Sequence, residues 1–127
     1  MPSAPEAHNW KRLAEELGIR LPERFLLILD EALDGTAAWQ YLSAAEAVGL
    51  KAELDRRFDY PGRQWRGIPF ARSRVCEDVA CFDLATPRDR EAQVIPVRDW
   101  HGPRWEFARD LKTFHRWLTE DREGHLT

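Results

Sequence analysis

Residues 67–84 read GIPFARSRVCEDVACFDL, and the parsing of that stretch decides the fold. An apolar run, Ile68-Pro69-Phe70-Ala71, leads into a polar turn from Arg72 to Asp78. A second run, Val79-Ala80-Cys81-Phe82-Asp83-Leu84, then returns. Two short strands joined by a polar loop is the simplest parse. Strand side chains alternate, so Ala80, Phe82 and Leu84 share one face while Val79, Cys81 and Asp83 share the other. Pro69 lacks a backbone donor, which predicts that the first strand lies at a sheet edge or begins there.

Helical periodicity dominates the residues before this hairpin. Ala7, Trp10, Leu13, Ala14 and Leu17 recur on one face, and Gly18 supplies a stop. A second helix starts near Leu21-Pro22-Glu23, with Phe25, Leu26, Ile28, Leu29, Ala32 and Leu33 as a core face and Gly35 as its stop. Residues 37–42 suit a short strand with Trp39 and Tyr41 on one side. Ser43-Ala44-Ala45-Glu46 is a capping box, opening a third helix that runs to about Arg57 and is weakened by Gly49. Asp59 to Arg63 holds a Pro-Gly breaker.

After the hairpin, Ala92 to Val97 reads as another strand, with Val94 facing as Ala92 does and Ile95 facing as Val97 does. Arg98 to Arg104 is a loop, and Trp105 and Phe107 suit a last short strand. Leu111, Phe114, Trp117 and Leu118 form the stripe of a closing helix capped by Asp110 or Thr113. Helices lead and strands then follow one another directly. That order predicts an α+β single domain over residues 1–127, an antiparallel sheet of about four to five strands packed with helices. Residues 1–5 and 122–127 are expected to be mobile.

A chain of 127 residues with 43% hydrophobic and 32% charged residues suits an ordered domain with its own core. The net charge of −3, spread along the chain without a basic block, argues against nucleic-acid binding. No apolar run approaches the roughly 20 residues of a membrane span, and Met1 to Glu6 has neither the basic nor the apolar region of a signal peptide. A cytosolic location, with Cys76 and Cys81 reduced, is the resulting expectation.

The hairpin also resembles the central hairpin of the SUKH superfamily, the SMI/KNR-type domains of fungal cell-wall regulators and bacterial immunity proteins. IPFA, an acidic loop and ACFDL carry the likeness. Pro103, Trp105, Glu106, Phe114, Trp117 and Leu118 are similar to the family's loop tryptophan and closing helix. Leu21-Pro22 before an apolar helix is similar to its opening segment. The likeness covers roughly residues 19–120. The chain departs from the family pattern in the hairpin loop, where Ser73-Arg74-Val75-Cys76-Glu77-Asp78 keeps the acid and lacks the glycine.

The resemblance implies action by binding a protein partner. In bacteria that partner is often a toxin domain of the nuclease or deaminase class, neutralised by direct contact without catalysis. A regulatory scaffold with an endogenous partner is the alternative. A small metal- or thiol-dependent hydrolase on Cys76, Cys81 and His101 is a third reading, but their spacing matches no standard ligand pattern. His8, His101, His115 and His125 include no pair four apart on a helix. No catalytic residue, metal ligand or cofactor is therefore expected. The candidate partner-binding residues are Glu77 and Asp78 in the hairpin loop, with Trp65, Asp99, Trp100 and His101, where large aromatics stand among charges. Asp83, between Phe82 and Leu84, must lie on an exposed face or accept from a backbone donor.

Overall fold

The computed structural model describes residues 5–30, 39–57, 66–74, 78–98, 106–107 and 111–121. Four helices and five strands lie among them. They are α1 (Pro5–Leu17), α2 (Glu23–Asp30), β1 (Trp39–Tyr41), α3 (Ala44–Arg57), β2 (Gly67–Ser73), β3 (Val79–Asp83), β4 (Val94–Arg98), β5 (Glu106–Phe107) and α4 (Phe114–Asp121). The strands form one sheet in the order β1-β2-β3-β4-β5. Every neighbouring pair is antiparallel, so the molecule is an α+β domain built on a meander.

Three helix ends are closed by residues that the local sequence marks. Gly18 has φ +75°, a left-handed conformation that glycine adopts without a Cβ penalty. Its N–H donates to the Glu15 carbonyl at 3.3 Å, and the Ile19 N–H donates to the Ala14 carbonyl at 3.1 Å. That pair of bonds is a Schellman motif, and Ile19 is buried beside it. At α3 the Glu46 N–H donates to Ser43 Oγ at 3.0 Å and the Ser43 N–H donates to Glu46 Oε1 at 2.9 Å, completing the capping box. Thr113 caps α4: its Oγ1 accepts from the Arg116 N–H at 3.1 Å, and the other candidate, Asp110, lies outside the described residues. The α2 stop at Gly35 lies outside the described residues.

Alternation along β3 divides the core into two layers. Ala80 and Phe82 join a large cluster with Trp10, Phe25, Trp39, Phe70, Val94, Phe114 and Trp117. Val79 and Cys81 join a smaller one with Leu54, Ile95 and Val97. Phe25 of α2 is the hub of the large cluster. Its ring centroid lies 5.1 Å from Trp10, 5.5 Å from Phe70, 5.0 Å from Phe82 and 5.8 Å from Phe114. Phe70 and Phe82 stack across β2 and β3 at 4.2 Å. Helix α3 serves both layers: Ala44 and Ala47 pack in the large cluster, Leu54 in the small one, and Leu50 touches each.

Two expectations change. Strand β2 is not an edge strand, since β1 and β3 flank it. Strand β1 pairs with Ala71, Arg72 and Ser73, however, so among the described residues no strand lies on that side of Pro69. The register also shifts between Pro69 and Ala71, a bulge next to the residue that cannot donate. Leu111, expected on the α4 stripe, precedes the helix. It packs against the smaller cluster, whereas Phe114 and Trp117 enter the larger. The intervening β-bridge between Lys112 and Val94 turns the chain from one layer to the other.

Candidate partner-binding site

The β2–β3 hairpin presents its loop at one end of the sheet. Its neck is closed where the Ser73 N–H donates to the Asp78 carbonyl at 2.9 Å. Asp78 is half-buried, while Arg72 and Arg74 are exposed. Val79 pairs with Val97, so Arg98, the exposed end of β4, lies at this same end and pairs with Glu106 of β5. The tip thus carries cations as well as the loop acid. Sequence reading treated Arg72 and Arg74 as turn residues only. The bulge was the missed signal, because it shifts Arg72 onto the face of Val79.

Of the candidate residues, Asp78 is described. Glu77, Trp65, Asp99, Trp100 and His101 lie outside the described residues, as do Cys76 and Trp105. Their chain neighbours fall at two different ends. Asp78, next to Glu77 in the chain, and Arg98, which precedes Asp99, both lie at the hairpin tip. Trp65 adjoins Arg66, whose carbonyl accepts from the Leu84 N–H at 3.0 Å, at the opposite end of β3. A surface drawing on both neighbourhoods has to run the length of the hairpin, roughly 16 Å for a five-residue strand.

Several polar side chains away from the hairpin tip have structural partners. Asp83 is buried and satisfied, the second of its two permitted readings. Its Oδ1 accepts from the Ala85 N–H at 3.0 Å, and its Oδ2 accepts from Thr86 Oγ1 at 3.3 Å. Thr86 Oγ1 in turn accepts from the Gln93 N–H at 3.1 Å, which locks the β3–β4 connection. Two carboxylates tie distant elements together. Glu91 Oε2 accepts from the Glu23 N–H at the start of α2, and Glu6 Oε2 accepts from the Ala44 N–H at the start of α3. These partners are 68 and 38 residues apart, beyond the reach of local sequence patterns.

Cys81 is fully buried in the smaller cluster with Leu54, Val79, Ile95 and Val97. Burial, reinforced by the Asp55 carboxylate and opposed by Lys51, pushes its thiol well above the usual range. A protonated, enclosed sulfur is a small hydrophobe rather than a nucleophile. Among the described residues no group of three His, Cys, Asp or Glu side chains could hold a metal ion. Glu120 on α4 accepts from Arg116 Nε at 2.6 Å and Lys112 Nζ at 2.9 Å, and these bonds hold its carboxyl below the usual range. No described helix is long and apolar enough to cross a membrane. In comparison with known proteins, no family model matches the chain and no solved structure matches it significantly.

Proposed function

We propose that this protein is a non-enzymatic binding module of the SUKH kind, a cytosolic immunity protein that neutralises a bacterial toxin by direct contact. The reading rests on the hairpin motifs, and the observation that carries it is the hairpin tip. There Arg72, Arg74, Asp78 and Arg98 stand on a β-meander whose strands are anchored by buried aromatic rings. A sheet end that carries both signs of charge suits recognition of a protein surface, because complementary charges steer association and fix its register. Glu77 and Asp78 would meet basic groups of a nuclease or deaminase, with Asp99, Trp100 and His101 extending the contact. Trp65 enters the same interface only if the partner spans the hairpin. The burial of Cys81 supports binding over a thiol hydrolase.

A regulatory scaffold would use the same surface on an endogenous partner. The gene neighbourhood and co-expression separate the two: a toxin gene beside this one, whose product forms a purified complex with this chain and whose growth arrest the chain relieves, supports immunity, and the absence of such a gene, or of both complex and rescue, sinks it. The interface is tested with Glu77→Lys/Asp78→Lys and with Trp100→Ala, each checked for unchanged melting. The expected result is weaker binding, with a shallower salt dependence for the charge variant. Wild-type affinity in both variants would move the interface off the tip.

A further inference from the structure

We draw no further inference here: the strongest candidate, the arginine-bearing end of the sheet where Arg20, Arg24, Arg66, Arg88 and Arg90 gather around the β3–β4 connection, carries nothing because Glu15, Glu16, Glu23, Asp89 and Glu91 at the same end balance its charge and nothing in the structure shows what covers it.

Discussion

Phe82 shows at the level of one side chain why the hairpin holds. It is wholly buried, stacks on Phe70 and meets Trp10, Phe25 and Phe114 at centroid distances between 5.0 and 6.2 Å. Truncation to alanine removes ring contacts on several sides, and the large cluster cannot collapse into the space without moving three helices. Phe82→Ala is expected to destabilise by about 3–5 kcal/mol in chemical denaturation. A change below about 1 kcal/mol would show that Phe82 is not a core residue. Cys81, on the opposite face of the same strand, makes a different prediction. In a Cys76→Ser background its thiol should resist alkylation in native buffer and react fully in denaturant. Its raised pKa also sets a sign for pH. The folded state keeps the proton that the unfolded thiol loses near pH 8.5, so this contribution is intact below that value. It is then lost progressively as pH rises toward the folded pKa. Rapid native-state alkylation at neutral pH would contradict the buried placement.

At the scale of elements, two glycines make opposite predictions. Gly18 ends α1 with φ +75°, and a Cβ added there would meet nothing within 4 Å. Gly18→Ala therefore costs only backbone strain, about 1 kcal/mol. Gly49 lies inside α3, exposed, again with nothing within 4 Å of an added Cβ. Gly49→Ala should stabilise by up to about 1 kcal/mol through helix propensity. Thermal melts should move in opposite directions, by roughly 3–5 °C each for a domain of this size. A fall in both melts would show that Gly49 serves packing, and a rise in both that Gly18 carries no backbone strain. Both cap motifs were legible beforehand because their partners lie within five residues. The α2 and α3 N-terminal bonds from Glu91 and Glu6 were not, because each joins segments that only the folded chain brings together.

For the whole molecule, the two core layers share strands β3 and β4, residue by residue in alternation. Neither layer can open while the other keeps those strands extended and paired. Trp10, Trp39 and Trp117 report on the larger layer and the Cys81 thiol on the smaller. Equilibrium unfolding followed by tryptophan fluorescence and by thiol accessibility, again in Cys76→Ser, should give coincident midpoints. Thiol exposure at clearly lower denaturant would mean that the smaller face, with Leu54 and α3, opens as its own unit. The proposed contacts at the tip belong to this scale too, since the ends of β2, β3 and β4 meet there through register.

The amino-acid sequence by itself determined most of the described elements and the facing of β3 and β4. Alternation at 79–83 separated Phe82 from Cys81, helical spacing put Trp10 and Trp117 in the core, and Ser43 with Glu46 marked the start of α3. These signals are local, arising from strand and helix periods and from hydrogen bonds between near neighbours. Of the candidate site, the loop acid Asp78 was legible, and so was the choice facing Asp83 between exposure and a backbone partner. The tertiary structure alone decided which alternative Asp83 took. It also decided that Phe25 is the aromatic hub, that Leu111 packs away from the α4 stripe, and that a bulge after Pro69 turns Arg72 onto the face of Val79. Each of these depends on strand register and on which layers meet, and both are set by contacts between residues distant in the chain.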